Sequence, residues 1–128
     1  MSSTTTRLTI TVPVPPMELS KNSRAHWSEK HETFQEHKRI ARAEINRQLR
    51  SGHTPHTGPV QVIATWYAHR RPMPDRDNAI TRLSPYSDAA EETGLIQNDV
   101  QIESYRVIYS LDRHNPRVEL TFVLGESA

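Results

Sequence analysis

The sequence of 128 residues contains no cysteine, which excludes disulfide bonds and thiolate metal sites and fits a reducing compartment. It has no apolar run approaching the ~20 residues that a membrane-spanning helix needs. The first ten residues, MSSTTTRLTI, lack the basic start and the apolar core of a secretory signal. These absences predict a cytoplasmic protein.

Glycine is scarce as well. The chain has four glycines, and none lies in a phosphate-binding loop pattern or in a Gly-x-Ser-x-Gly nucleophile elbow. An EF-hand calcium loop beginning at Asp75 is excluded, because it would need glycine at the position of Ile80 and glutamate at that of Tyr86.

The histidines give weak support for zinc. His26, His31 and His37 are spaced by five and six residues, so they do not line one helix face. His53 and His56 lie in a predicted loop and could bind a metal, although a solvated loop is the commoner explanation.

Charge is unevenly distributed along the chain, although the net charge is only +1. From Glu18 to Arg50 there are eight Lys or Arg residues against five Glu. From Leu83 to Ser104 there are five acidic residues and no basic ones. This distribution can place a basic surface beside an acidic site.

Hydrophobic periodicity and turn residues predict four strands and two helices. The predicted strands are Arg7–Val14, Val60–His69, Tyr105–Leu111 and Arg117–Leu124; the predicted helices are Ser28–Arg50, with Ser28 as N-cap, and Ser84–Gly94, with Ser84 as N-cap. The order β-α-β-α-β-β predicts an α+β fold in which both helices pack on a small mixed sheet. We expect a single domain spanning residues 1–128, with residues 1–6 disordered.

The segment from Asp75 to Asp99 concentrates acidic side chains. Asp75, Asp77 and Asn78 lie in a predicted loop, Asp88 on the second helix, and Asp99 just beyond it. The nearby cations are Arg70, Arg71, Arg76 and Arg82. Carboxylates are the ligands that Mg²⁺ prefers, and arginines offset phosphate charge, so the pattern predicts a magnesium-dependent enzyme acting on a polyanion. For any single Asp, ordinary turn chemistry is the commoner explanation.

The segment RDNAITRLSPYSDAAEETGLIQNDVQI resembles the signature of RusA-type Holliday junction resolvases, which are small magnesium-dependent endonucleases common in phages and prophages. Asp75, Asp77 and Asn78 match the Asp-x-Asp-Asn of that family, Asp88 its helical Asp, and Asp99 the second Asp of its Asp-Asp-x-x-Ile. The opening PVPPMELSKNSRAHWSEK is also similar, with Asn22, Arg24, His26 and Trp27 in the expected places. The resemblance covers nearly the whole chain.

This resemblance implies a RusA-like fold, a two-fold homodimer, and a bacterial or phage-infected cell as the setting. It implies that Asp75, Asp77 and Asp99 are catalytic and bind Mg²⁺, for which Mn²⁺ can substitute, with Asp88 as a further metal ligand. The expected reaction is paired nicking of four-way DNA junctions in recombination and repair. The expected DNA-binding residues are Asn22, Arg24, Lys38, Arg39, Arg42, Arg70, Arg71, Arg76 and Asn78. For each helix residue among them, a solvated charged face is the alternative.

Two positions depart from the family pattern. Ser84 stands where the family has a catalytic lysine, and no lysine follows Lys38 in the chain. Arg82 is the nearest cation and is expected to take the place of that lysine, from a loop free to turn inward. Asn98 replaces the first Asp of the Asp-Asp pair. Two alternatives therefore stay open: a junction-binding protein with weakened or no cleavage, and a structural or regulatory phage protein.

Overall fold

The structure, a computed structural model, describes residues 6–19 and 26–125. Its strands are β1 (Thr6–Val12), β2 (Val60–Ala68), β3 (Ile102–Leu111) and β4 (Arg117–Leu124), and its helices are α1 (Trp27–Gln48), α2 (Arg76–Arg82) and α3 (Ser84–Glu92). Short 3₁₀ turns occur at Met17–Leu19 and Asp99–Gln101. The predicted α+β class is confirmed, but the described part of the chain forms three α-helices where two were predicted.

The four strands form one mixed sheet in the order β1-β4-β2-β3. β4 pairs antiparallel with both β1 and β2, whereas β2 and β3 are parallel. A parallel pair needs a crossover connection, and α2 and α3 supply it. β1 and β3 are the two edges of the sheet, and all four predicted strands agree with the structure to within a few residues at their ends.

The core lies between one face of the sheet and the helices. Alternate residues of β1, β2 and β4 are buried there, as the period of two predicted, including Ile10, Val62, Trp66 and Phe122. Helix α1 packs on α3 and β1. The other sheet face is largely half-buried or exposed. Across residues 6–19 and 26–125, none of the helices combines the length and apolar character that crossing a membrane demands.

Pro85 explains why the second helical region is divided. Proline has no N–H to donate to the carbonyl four residues earlier, which is that of Thr81. The Ser84 hydroxyl donates to this carbonyl instead, at 2.8 Å. The prediction that Ser84 is an N-cap is therefore wrong: Ser84 is the first residue of α3, and Leu83 precedes it in α-helical conformation.

Three other local predictions can be compared with the structure. Helix α1 is capped by His26, whose Nδ1 accepts from the Ser28 backbone N–H, and not by Ser28 itself. Gly94 follows the end of α3 with φ of +80°, a conformation that favours glycine, as predicted. Of residues 1–6, expected to be disordered, Thr6 begins β1, and residues 1–5 lie outside the described residues.

Candidate functional site

Asp75 begins helix α2 and does not lie on an extended strand. Its Oδ1 accepts from the Asn78 backbone N–H at 2.8 Å, and its Oδ2 accepts from the Asn78 side chain at 3.0 Å. Asp77 is already inside the helix. The predicted loop therefore becomes helical from Arg76 onward, and Asp75 and Asp77 do not follow an extended backbone. Each carboxylate oxygen of Asp75 keeps acceptor capacity for one further partner.

An acidic cleft of about 390 Å³ lies where the crossover helices meet α1 and β3. Its lining residues are Phe34, Ile80, Ser84, Ser87, Asp88, Asp99, Ile102 and Tyr105. The cleft thus joins two predicted carboxylates, Asp88 and Asp99, from separate elements. Asp77 lies one helical turn before the lining residue Ile80 on α2, and is itself not among the lining residues. Ser84, at the position where the RusA-type family has a lysine, is exposed and lines the cleft.

Lys38 of α1 is a buried residue that forms ion pairs with two carboxylates of α3, Asp88 and Glu92. Its ammonium lies 3.4 Å from Asp88 and 2.5 Å from Glu92, while only 9% of its side chain is exposed. Glu92 also accepts from Arg42 at 2.8 Å. Hydrogen bonds to Glu92 and Asp88 raise the pKa of Lys38 despite its burial, and the hydrogen bond from Lys38 lowers the pKa of Glu92. Lys38 is therefore committed to carboxylates of α3, which contradicts its predicted role on a DNA-binding surface.

Replacement of Lys38 by methionine should lower the free energy of unfolding by about 1–3 kcal/mol at neutral pH, since the apolar stem stays but two carboxylates lose their cation. The value is at the low end for buried pairs because both carboxylates are more than a third exposed. Because the pKa of Glu92 is lowered, this stability is fully present above the ordinary glutamate pKa of about 4.3 and is lost as the pH falls through the lower folded value. Because the pKa of Lys38 is raised, it is fully present below the ordinary lysine pKa of about 10.4 and is lost as the pH rises through the higher folded value.

Urea denaturation at pH 3.5, 7 and 11 measures this difference. Arg39→Met is the matched control, because Arg39 is exposed and lies 3.9 Å from Glu36. A difference between wild type and Lys38→Met that is independent of pH would contradict the ion-pair explanation.

Asp99 is positioned through its backbone and by its neighbours. Its N–H donates to Glu91 Oε2 of α3 at 3.2 Å. The Asn98 side chain accepts from the Val100 N–H at 3.0 Å and so caps the 3₁₀ turn. Gln101 donates to the backbone of His56 at 2.7 Å, which fixes the same turn to the loop before β2. Asn98, which departs from the family pattern, is thus a capping residue here.

Tyr105 forms the apolar wall of the cleft. Burial raises its pKa to about 12, partly opposed by the nearby Ser87 hydroxyl, so it stays protonated at neutral pH. Its hydroxyl is buried and has no hydrogen-bond partner of good geometry within the described residues. Burial and the charge of Asp75 raise the pKa of Tyr109, four residues further along β3. The charge of Asp75 thus affects Tyr109, which does not line the cleft, whereas Tyr105 does.

A divalent cation fits this cleft only as one shared with a substrate. Within residues 6–19 and 26–125, no three Asp, Glu or His side chains are close enough together to ligate one ion. The predicted coordination sphere of Asp75, Asp77 and Asp99 is therefore not assembled. Mg²⁺, however, is usually held by one or two carboxylates together with substrate phosphates and waters. Asp88 and Asp99 both line the cleft and supply that number.

Arg82 is a buried structural residue. It lies in the last turn of α2 with 8% exposure, and its Nε and Nη2 donate to the Pro15 carbonyl at 3.1 and 2.5 Å. Its guanidinium lies 5.0 Å from the centroid of the Trp66 ring. Burial lowers its pKa. The prediction that Arg82 lies in a free loop is therefore wrong, and its burial argues against the expectation that it replaces the family lysine.

The other predicted DNA-binding residues differ in availability. Arg70 and Arg71 are exposed after β2, and Arg71 lines a second cavity of about 680 Å³ with Met73, Tyr109 and Leu111. Arg76 donates to the Tyr105 carbonyl at 2.5 Å, so it holds α2 against β3. Arg39 and Arg42 are partly exposed on α1, and Asn78 is engaged with Asp75. Asn22 and Arg24 lie outside the described residues.

Lys38, Phe34 and Tyr105 are the residues of this region whose role sequence reasoning missed. One signal was present for Lys38: it lies at helical spacing with Phe34, Ala41 and Ile45, in the apolar stripe of α1. A lysine inside such a stripe needs a buried acidic partner. The partner itself could not be identified, because Asp88 is fifty residues away in the sequence.

No protein-family model matches the chain. An uncharacterized protein of Xylella fastidiosa (strain Temecula1) is 30% identical over 114 residues, which cover 88% of this chain and 73% of the relative. Since only the ends of the chain fall outside the match, the span from Phe34 to Tyr105 that forms the acidic cleft lies inside it.

Proposed function

The chain belongs to the same protein family as this Xylella fastidiosa protein, and we propose that it is a magnesium-dependent endonuclease that nicks branched DNA. The observation that carries the proposal is the acidic cleft. Asp88 and Asp99 both line it, although they come from separate elements. The resemblance of Asp75, Asp77, Asn78, Asp88 and Asp99 to the RusA-type signature supports the same conclusion and suggests four-way junctions as the substrate.

Asp88 and Asp99 would hold the ion. Asp75, the N-cap of α2, and Asp77, in the first turn of α2, are the further acidic groups of this region. When bound, Mg²⁺ would lower the pKa of a coordinated water and offset charge on the scissile phosphate. The chain's own contribution is positional. Lys38 holds Asp88 by one oxygen, and Glu91 holds the backbone of Asp99.

The exposed Asp99 carboxylate would orient a water and accept its proton. The attacking oxygen would form a bond to phosphorus as the bond to the 3′ oxygen breaks, and that oxygen would take a proton from solvent, which gives a 5′-phosphate and a 3′-hydroxyl. Tyr105 and Phe34 close one side of the cleft with aromatic surface, and so exclude bulk water there. Arg70 and Arg71, exposed next to α2, would bind the DNA backbone without reading its sequence.

Magnesium-dependent nicking of a synthetic four-way junction tests the proposal. We expect paired nicks with Mg²⁺, none with EDTA, and much slower nicking of a linear duplex of the same sequence. A Ser84→Lys variant belongs in the assay, because it restores a lysine to the cleft lining and should speed nicking if the missing lysine limits the rate.

Two other outcomes distinguish the alternatives. Junction binding without nicking at any enzyme excess, in both the wild type and Ser84→Lys, would identify a binding protein that has lost cleavage. The specific observation favouring that alternative is the absence of a three-ligand metal group from the described residues. A lack of any junction affinity would contradict both and favour a structural or regulatory role.

We further propose a two-fold homodimer, since paired nicks require two sites on one junction. The apolar strand residues Leu8, Ile10 and Val107 do not offer an exposed contact patch, because Leu8 and Ile10 are buried and Val107 packs against the core. The edge strand β3 instead exposes Ile108 by 39% and Leu111 by 42%. The exposed residues of the opposite edge, β1, are polar, so β3 is the better candidate.

The double substitution Ile108→Glu and Leu111→Glu should convert the dimer to a 14.7 kDa monomer, because charge at both positions opposes pairing of the β3 edges. Analytical ultracentrifugation at micromolar concentration measures the mass. Thr11→Glu on β1 is the matched control and should stay dimeric. A monomeric wild type would contradict the dimer, and an unchanged mass in the double variant would exclude β3 as its interface.

A further inference from the structure

An exposed aromatic stack lies at the start of α1. The Trp27 and His31 rings are nearly parallel, with 8° between their planes and 5.6 Å between their centroids. Trp27 is nevertheless 76% exposed, although an indole is among the most favourable side chains to bury. With His31 against one face, the other face of the indole is open to solvent. The stack is a flat aromatic surface without a partner in the described part of the chain.

The stack is continuous with the acidic cleft. Trp27, His31, Phe34 and Lys38 are spaced by four, three and four residues, which places them along one face of α1. Phe34 lines the cleft, and Lys38 pairs with the cleft residue Asp88. At 1.5 Å per residue, Trp27 lies about 10 Å along the helix from Phe34. This is about the length of three nucleotides stacked at 3.4 Å each.

The start of α1 is also held in a defined conformation. The His26 side chain accepts from the Ser28 N–H at 3.2 Å, and its Nδ1 lies 2.8 Å from the Ser28 hydroxyl. Trp27 follows this cap directly, so its backbone is fixed at the first helical position. A rigid aromatic surface loses little conformational entropy when it binds a planar ligand.

We propose that the Trp27–His31 stack binds an unpaired nucleobase of the branched DNA whose backbone enters the acidic cleft. The inference rests on the proposed function and adds a base-binding subsite to it. Every base has a flat π face, so stacking on an aromatic side chain is tolerant of sequence. Bases at a branch point are the ones free to leave the duplex stack, and the spacing places such a base within a few nucleotides of the phosphate at the cleft.

Tryptophan fluorescence tests the contact directly. The chain has two tryptophans, and Trp66 is 1% exposed, so quenching by DNA reports Trp27. With a four-way junction or a single-stranded oligothymidine in Ca²⁺ buffer, which keeps the DNA uncut, we expect quenching in the wild type and none in Trp27→Phe. Trp27→Phe should bind with nearly wild-type affinity, since phenylalanine still stacks. Trp27→Ala should bind about tenfold more weakly, equivalent to about 1.4 kcal/mol.

Two controls complete the experiment. Met17→Ala removes another apolar side chain of similar exposure, 71%, and should leave affinity unchanged. An oligonucleotide with abasic positions should bind the wild type about tenfold more weakly, and Trp27→Ala should then cost nothing more. DNA binding by the wild type that is insensitive to Trp27→Ala and to abasic positions would overturn this inference and leave the proposed function intact. Absence of any DNA binding by the wild type would overturn both.

Discussion

Asp99→Asn should slow magnesium-dependent nicking of a four-way junction by about 10²–10³-fold, while junction affinity stays the same or improves. The substitution removes the charge of a cleft carboxylate and keeps its shape. It leaves the Asp99 backbone N–H bound to Glu91, so the 3₁₀ turn should keep its position. Lower negative charge also reduces repulsion of the DNA phosphates. Single-turnover nicking rates and gel-shift titrations, measured on the same preparation, separate the two effects.

Asp75→Asn tests a carboxylate outside the cleft lining to which the RusA-type resemblance gives a catalytic role. Asparagine caps a helix about as well as aspartate, so the variant should unfold like the wild type and yet lose nicking. Asp75→Ala would also lose the cap, at about 1 kcal/mol of stability. Glu36→Gln, on the exposed surface of α1, is the control and should nick normally. Wild-type nicking by Asp99→Asn would show that the acidic cleft is not the active site.

Arg82→Ala should lower the free energy of unfolding by about 2–4 kcal/mol. The substitution leaves the Pro15 carbonyl without its two donors and opens a cavity beside Trp66. Arg82→Lys should rescue this only in part, because a lysine lacks the planar fork that makes both hydrogen bonds. Urea denaturation gives the stability, and Arg71→Ala, at an exposed arginine, is the matched control.

The same variant distinguishes a structural arginine from a catalytic one. At temperatures where Arg82→Ala is fully folded, its nicking rate should be close to that of the wild type. Wild-type stability combined with a large loss of nicking would restore the role that the sequence had suggested for Arg82. Stability and nicking therefore have to be measured on the same protein.

The strands were predictable because their signal is local. In β1, β2 and β4 the alternation of apolar and polar side chains is a property of consecutive residues, and the buried positions follow it. Helix α2 was missed because its start depends on one side chain. Asp75 turns the backbone by capping it, and an Asp followed by Arg, Asp and Asn is equally compatible with a loop.

The candidate site was predictable only in part. Asp88 and Asp99 could be predicted because they are acidic residues of the short segment that resembles the RusA-type signature, and both line one cleft. The partner of Asp88 could not, because the Lys38–Asp88 contact joins residues fifty positions apart. Whether an arginine is exposed to solvent also depends on residues distant in the sequence. Arg82 is inaccessible only because Trp66 and Pro15 pack around it.

The crossover between the parallel strands β2 and β3 also has a consequence for the folding of the molecule. This connection contains the acidic residues Asp75, Asp77, Asp88 and Asp99. The cleft therefore does not form until β2 and β3 have paired. Parallel pairing across a long connection is slow to form, since the chain loses entropy of loop closure before contacts repay it. A ligand of the cleft therefore binds the native state alone. A four-way junction in Ca²⁺ buffer, which keeps the DNA uncut, should raise the melting temperature, and the rise should grow with the logarithm of junction concentration.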